Sequence, residues 1–351
     1  MNHKRPLAQR LGLTRVVLLL VACASVACAV AACASPVPTP TPIPPTATYL
    51  PPTPTSATST PTSLPPTLTL LPPTPTLVPP TPTSTAAPPF ALEVAIDVAY
   101  TLPLQPDVPG QKLDVYAPTA QGPWPVVIFV HGYRAVKEGH EKLSRAIAQQ
   151  GAVVYTIEWR IRLPVIAVNE DGKGFREMHE TVACAIRFAR ATAAQYGGNP
   201  DRVTLVGFSA GAWIGGYLSL LGDGVDQLWQ EFELKRGGPP QQVECLVSGS
   251  SAMVDAFVGI GGVYGLSNSL REEDSELWEV CSIDAHLGKN PGILVRLLHG
   301  EWDDTVEAEA SVMFDAALTE MGYDSELTQF EGGHMIPLDL TVETIMEVAG
   351  G

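Results

Sequence analysis

Arg202-Val-Thr-Leu-Val-Gly-Phe-Ser-Ala-Gly-Ala-Trp213 decides how the rest of the chain is read. Val203 to Val206 is apolar and rich in β-branched residues, which predicts a buried strand. The turn Gly207-Phe208-Ser209-Ala210-Gly211 follows in the pattern G-x-S-x-G, and Ala212 to Leu218 continues as a helix. Strand, sharp turn and helix together hold a serine at strained backbone angles, with its hydroxyl exposed at the carboxyl end of a sheet strand. The two glycines leave out the side chains that would clash in such a turn. The N–H of Ala210 stands at the helix N-terminus, where a developing negative oxygen is favoured. An ordinary strand–turn–helix with a surface serine is the alternative. Tyr196-Gly-Gly-Asn-Pro-Asp-Arg202 leading in, and the partner residues below, favour the nucleophile.

Upstream, Leu92, Val94, Ile96, Val98 and Tyr100 alternate with other residues, the period of a half-buried strand. Leu113 to Tyr116 reads as a second strand, ending at Ala117-Pro118. Val126 to Val130 is a continuous apolar run, as in a central strand covered on both faces. Glu141 to Gln150 is a helix stopped by Gly151, and Ala152 to Ile157 is the next strand. Phe175 to Tyr196 is a long helical pattern capped by Gly197-Gly198. Beyond the elbow, strands are expected at Ala256–Ile260, Ile293–Leu298 and Leu327–Phe330, with helices at Glu307–Met321 and Thr341–Val348. Strands alternating with helices predict an α/β domain with a mainly parallel, doubly wound sheet. Asp223–Val243 and Leu266–Asn290 break the alternation. They carry Trp229, Phe232 and Trp278, and are expected as short cap insertions over the carboxyl edge or as plain surface helix and loop.

Three further patterns fall at strand ends. His131-Gly132-Tyr133 closes one central strand, and the N–H of Gly132 or Tyr133 is a candidate second oxyanion donor beside that of Ala210. Leu297-Leu-His-Gly-Glu-Trp-Asp-Asp-Thr-Val306 closes another and offers carboxylates, with Asp303 the candidate acid and Asp304 and Glu301 its rivals. Glu331-Gly-Gly-His-Met335 follows the last strand and offers His334 as the imidazole base. His334 would take the proton of Ser209, and Asp303 would hold the ring tautomer. His131 and His299 are read as structural, and His140, His179 and His286 have no partner pattern. Trp213 and Trp302 flank the site in sequence and either line it or belong to the core.

In this combination the chain resembles the α/β-hydrolase superfamily, in the esterase/lipase branch with hormone-sensitive-lipase-like and bacterial carbohydrate-esterase-like members. The resemblance spans about residues 110–350. It rests on His131-Gly132, Trp159-Arg160, the Tyr196–Arg202 lead-in, the elbow, Gly262-Val263-Tyr264, the H-G-x-x-D-x-x-V spacing from His299 to Val306, and Gly333-His334. It implies the α/β-hydrolase fold and a Ser209–His334–Asp303 triad, with Asp303 rather than Asp304 matching the acid. Where the family has H-G-G-G, this chain has the less glycine-rich His131-Gly132-Tyr133-Arg134.

Charge is distributed unevenly over the 351 residues. Residues 1–35 hold four of the 21 basic residues and no acidic one, and residues 36–89 hold no charge. Residues 90–351 therefore carry 17 basic against 37 acidic residues, a net charge of −20. Those residues suffice for one large domain with a sizeable core. So acidic a surface argues against nucleic acid and against anionic membrane as partners of the domain. Neither C-x-x-C nor H-E-x-x-H occurs, so no metal is indicated, and the expected chemistry needs no cofactor.

Residues 1–33 read as an export signal, with Lys4, Arg5, Arg10 and Arg15 preceding the apolar Val16–Ala32. Cys23 and Cys33 both end lipobox-like stretches, and Cys33 is the preferred lipidation site because only Val16–Ala22 precedes Cys23. An uncleaved anchor and plain cleavage are the alternatives, and all three place the domain outside the cytoplasmic membrane. Residues 34–89 are dominated by Pro, Thr, Ser and small apolar residues and read as a stalk near polyproline II. At about 3.1 Å per residue it reaches on the order of 150 Å. In residues 90–351, Cys184 sits in a helical pattern and reads as a buried free thiol, while Cys245 and Cys281 can pair without the spacing demanding it.

The expectation is thus an extracytoplasmic serine hydrolase, a carboxylesterase for small-molecule or glycan esters with short acyl groups. Its only membrane contact is the N-terminal anchor. A serine peptidase of the same fold and a catalytically inactive adhesion protein are the rival outcomes. Oligomeric state is not legible in the chain.

Overall fold

The computed structural model describes residues 89–103, 109–159, 173–237, 243–265, 271–272, 274–335 and 337–350. The readings of the signal, of Cys33 and of the stalk lie outside these residues, as do Arg160 and residues 238–242 and 266–270 of the two excursions.

Each of the eight expected strands forms. They are β1 (Leu92–Ala99), β2 (Lys112–Pro118), β3 (Trp124–Val130), β4 (Val153–Ile157), β5 (Gly198–Phe208), β6 (Ala256–Ile260), β7 (Leu294–Gly300) and β8 (Asp324–Phe330). One sheet holds them in the order β1-β2-β4-β3-β5-β6-β7-β8. β2 runs antiparallel to both β1 and β4, and every pairing from β4 to β8 is parallel. The helices are α1 (Glu141–Gln149), α2 (Lys173–Thr192), α3 (Ala210–Leu221), α4 (Gly224–Arg236), α5 (Ser275–Cys281), α6 (Glu309–Glu320) and α7 (Leu338–Gly350).

Two apolar layers flank the sheet, and strand alternation divides the side chains between them. Val126, Ile128 and Val130 of β3 enter the core with Val182 and Ile186 of α2 and Ile214 and Leu218 of α3. Val127 and Phe129 enter the opposite core, with Ile147 of α1 and Ile345 of α7. The continuous apolar run of β3 therefore has both of its faces covered, as its sequence predicts. Because the central strands are parallel, their carboxyl ends share one edge. The segments after β3, β5, β6, β7 and β8 all emerge there.

The excursion after α3 folds largely as α4, which packs against α2 and α3. Trp229 and Phe232 are buried in this helical layer, and Trp229 Nε1 donates to His179 Nδ1 at 3.2 Å. Both aromatics thus belong to the core rather than to a wall over the carboxyl edge. α5 packs against α4 and buries Cys281.

The cysteine expectation needs correction. Cys184 is not a free thiol, and Cys245 does not pair with Cys281. Cys184 and Cys245 form a disulfide with Cα atoms 5.2 Å apart, and Cys281 is the buried free thiol. The reason is how the segment after α4 lies along α2. Glu180, one turn before Cys184, accepts the N–H of Val243 at 2.8 Å. The same segment is held from its other side, where Leu102 N donates to Glu244 O and Leu246 N to Tyr100 O. Cys245 is thereby laid over Cys184.

Candidate active site

The elbow forms between β5 and α3. Ser209 has φ 55° and ψ −118°, the left-handed region that side chains other than glycine rarely adopt. The conformation is held from both sides. Ser209 N–H donates to Ile260 O at 2.8 Å, and Ser209 O accepts from Ala212 N at 2.9 Å. The flanking glycines are required for close approach. A Cβ on Gly207 would lie 2.4 Å from Gly211 O, and one on Gly211 would lie 2.1 Å from Val130 O. The N–H of Ala210, first residue of α3, is one of the donors that helix geometry leaves without an intrahelical partner.

The loop after β3 lies against the serine. A Cβ on Gly132 would sit 3.1 Å from Ser209 Cβ and 3.2 Å from Phe208 Cδ1. The carbonyl of Gly132 accepts from Ala135 N at 3.2 Å and from His131 Nδ1 at 2.9 Å. The N–H of Tyr133 belongs to the same planar peptide and so points the opposite way. The loop is pinned from behind. Trp159 Nε1 donates to His131 O at 3.1 Å, and the buried Lys137 ammonium donates to Asp114 Oδ1 at 2.8 Å. His131 is buried, with its ring stacked on that of Trp159.

Asp303 and His334 come together from the loops after β7 and β8. His334 Nδ1 lies 2.7 Å from Asp303 Oδ2. An ionised carboxylate only accepts, so Nδ1 carries a proton, and in the neutral ring this leaves the lone pair on Nε2. The Asp303 side chain is fully buried, and its Oδ1 accepts from the N–H groups of Thr305 and Val306, both at 2.9 Å. Burial pushes this carboxyl up, but the Val306 N–H, the His334 ring and the Thr305 N–H outweigh it and hold it below the ordinary carboxylate value. Asp304 and Glu301 are exposed, and Asp304 accepts only from the neighbouring Thr305 hydroxyl, at 3.3 Å. Of the three candidate acids, only Asp303 meets the imidazole.

Gly261 links this pair to the elbow. It has φ 53°, and a Cβ there would lie 3.3 Å from His334 Nδ1 and 3.6 Å from Asp303 Oδ2. Its predecessor Ile260 accepts the Ser209 N–H, so one short segment touches all three candidate residues. The Phe208 ring lies 5.0 Å from the His334 ring. Sequence reasoning passed over Gly261, although a glycine pair after an apolar strand was the available signal. It also assigned His299 no role at the site. His299 Nε2 lies 3.1 Å from Asp303 Oδ2. Trp213 is buried beside Phe175, whereas Trp302 is 66 % exposed.

Tyr133, Val136, Val263, Trp302 and Met335 are exposed apolar side chains, all on loops at the carboxyl edge of the sheet. They stand on the loops that follow β3, β6, β7 and β8, at the edge that also carries Ser209. Among the described residues, no three His, Cys, Asp or Glu side chains converge as metal ligands.

The chain is similar over 252 residues, at 27 % identity, to a probable isoprenylcysteine alpha-carbonyl methylesterase of Arabidopsis thaliana, a match covering 64 % of this chain and 48 % of that one. It is 36 % identical over 172 residues to esterase LipC of Mycobacterium tuberculosis, covering 45 % of this chain and 35 % of that one. The chain thus spans about half the length of the first relative and about a third of the second. Among solved structures, a truncated carbohydrate esterase from gut microbiota superposes with a TM-score of 0.54 at 16 % identity, over 76 % of this chain and 99 % of that one. At that identity the likeness concerns the fold. The BD-FAE family model matches residues 113–318, from β2 into α6. That span is more than half of the sequence and contains both the elbow and Asp303, so the chain belongs to the BD-FAE family and has the α/β-hydrolase fold.

Proposed function

We propose that the protein is an extracytoplasmic serine carboxylesterase that cleaves short-chain acyl esters through Ser209, His334 and Asp303. The observation that carries this reading is the His334–Asp303 hydrogen bond, formed against the same Ile260-Gly261 segment that receives the N–H of the strained Ser209. The esterase relatives support the reaction class.

Ser209 Oγ attacks the ester carbonyl carbon while His334 Nε2 takes the hydroxyl proton. The negative charge that develops on the carbonyl oxygen is received by the N–H of Ala210 and that of Tyr133, with Gly132 the alternative second donor. The C–O bond then breaks, and His334 returns the proton to the departing alkoxide oxygen. Water repeats the sequence on the acyl-enzyme, releasing the carboxylic acid and free Ser209. Asp303 keeps the His334 proton on Nδ1 throughout and stabilises the imidazolium.

The Cys184–Cys245 disulfide supports the extracytoplasmic reading, because such bonds persist in oxidising compartments. Residues 1–33 supply export, Cys33 the lipid anchor and residues 34–89 the stalk. Small-molecule and glycan esters are the substrate classes that the esterase relatives and the carbohydrate-esterase likeness suggest.

Labelling with a fluorophosphonate probe, together with rates on an ester, an amide and an acetylated glycan, tests the reading. Ser209 should be labelled in the native enzyme and not in Ser209→Ala, and the esters should outpace the amide. Faster amide cleavage would favour a peptidase. Absence of both labelling and turnover would leave a binding protein.

A further inference from the structure

The geometry points to His299 as a positioning residue that holds Asp303 for His334. This role rests on the triad reading and extends it by one residue.

His299 is the last residue but one of β7 and is fully buried. Its Nε2 lies 3.1 Å from Asp303 Oδ2 and 3.0 Å from Val306 O. Both are acceptors, so Nε2 carries a proton shared between them. Its Nδ1 lies 2.6 Å from the hydroxyl of Ser311, a fully buried residue of α6. In the neutral ring Nδ1 is an acceptor, so the Ser311 hydroxyl donates to it and fixes the tautomer that sends Nε2–H toward Asp303.

Every acceptor position on Asp303 is thereby assigned. Oδ1 takes two backbone N–H groups, and Oδ2 takes His299 and His334. The two backbone donors hold Oδ1 and leave Oδ2 to the histidines. The His299 donor is a further anchor on Oδ2, which opposes torsion about the Cβ–Cγ bond and keeps Oδ2 facing His334. His299 also draws charge from Oδ2, so it moderates how strongly Asp303 stabilises the imidazolium. The ionisable side chains within hydrogen-bond reach of Asp303, among the described residues, are His299 and His334. Ser311 therefore acts at two removes, from α6 through β7 to the loop after it.

Three variants and a double mutant test the role on the full protein. His299→Leu should lower kcat about tenfold with little change in KM, the lower end of what losing an outer hydrogen-bond partner costs at metal sites. It should also move the acidic limb of the kcat/KM profile up by about half a pH unit, less than the 1–3 units that a full charge brings. His299→Gln retains an N–H near the Nε2 position and should recover most of both effects. Ser311→Ala should move the profile the same way but less, and it carries the test where His299→Leu does not fold. In an Asp303→Asn background, His299→Leu should cost nothing further. Equal losses in both backgrounds, or a kcat loss with an unmoved pH profile, would mean that His299 serves only packing. His299→Leu at native activity while Ser209→Ala is dead would overturn the His299 role alone. Undiminished activity in Ser209→Ala would overturn the triad and this role together.

Discussion

Nδ1 of His334 meets Oδ2 of Asp303 at 2.7 Å, across 31 residues that include all of α6 and β8. The contact separates Asp303 from Asp304, which adjoins it in sequence and faces solvent. Asp303→Asn should lower kcat on the order of 10⁴-fold, because the amide stabilises the wrong imidazole tautomer. Asp304→Asn should stay within a factor of about two, as surface changes away from a site usually do. Steady-state rates of the two purified variants decide between them, and an equal loss at both would sink the choice of Asp303.

The same carboxyl governs part of the acid stability. Its folded value lies below the ordinary one, so the ionised form stabilises the fold above the unfolded carboxyl value of about 3.9. That contribution is lost as pH falls through the lower folded value. The difference in melting temperature between the native chain and Asp303→Asn should therefore be constant near neutrality and shrink in the acid range. Thermal melts from pH 7 to pH 2 measure it, and a difference that widens on acidification would contradict the assignment.

The Cys184–Cys245 bridge closes a loop with a sequence separation of 61 residues, which in the chain-entropy account is worth about 4 kcal/mol. Replacing both cysteines by alanine should lower the denaturant midpoint clearly, and a reductant should do the same to the native chain. Chemical denaturation with and without reductant checks this. If Cys281→Ala removed the reductant sensitivity instead, the pairing would be wrong.

Acyl preference follows from what lies at the carboxyl edge. α4 buries Trp229 and Phe232 in the helical layer, and the apolar side chains exposed at the carboxyl edge are spread over four loops, with Tyr133 and Val136 sharing the one after β3. Rates on p-nitrophenyl esters of two to sixteen carbons should peak at two to four and show no jump above the critical micelle concentration. An optimum at ten carbons or more would favour a lipase. Trp302→Ala, which removes the largest of these exposed side chains, should raise KM more than it lowers kcat.

The anchor is tested on whole cells. The full-length protein should partition into detergent, and Cys33→Ser should release it, while a chain starting near Ala87 should be soluble and active. Partitioning that survives Cys33→Ser but not Cys23→Ser would move the lipid to Cys23.

The sequence by itself determined the eight strands, their alternation with helices and the turn that carries Ser209, because each is a local pattern. Val126–Val130 reads as a buried strand from five consecutive side chains, and G-x-S-x-G reads as an elbow because strand and helix adjoin it. The meeting of Asp303 with His334 was legible for a related reason: each lies in the loop after a strand, and parallel strands bring their carboxyl ends to one edge. Tertiary structure alone decided which cysteines pair, where Trp229 lies and that His299 reaches Asp303. Those outcomes depend on how α2 meets residues 243–247, how α4 settles on α2 and α3, and how α6 returns Ser311 to β7. Contacts across such separations leave no periodicity in the chain. They arise from burying each helix's apolar face, and the polar partners are then fixed by which buried donors and acceptors must be satisfied.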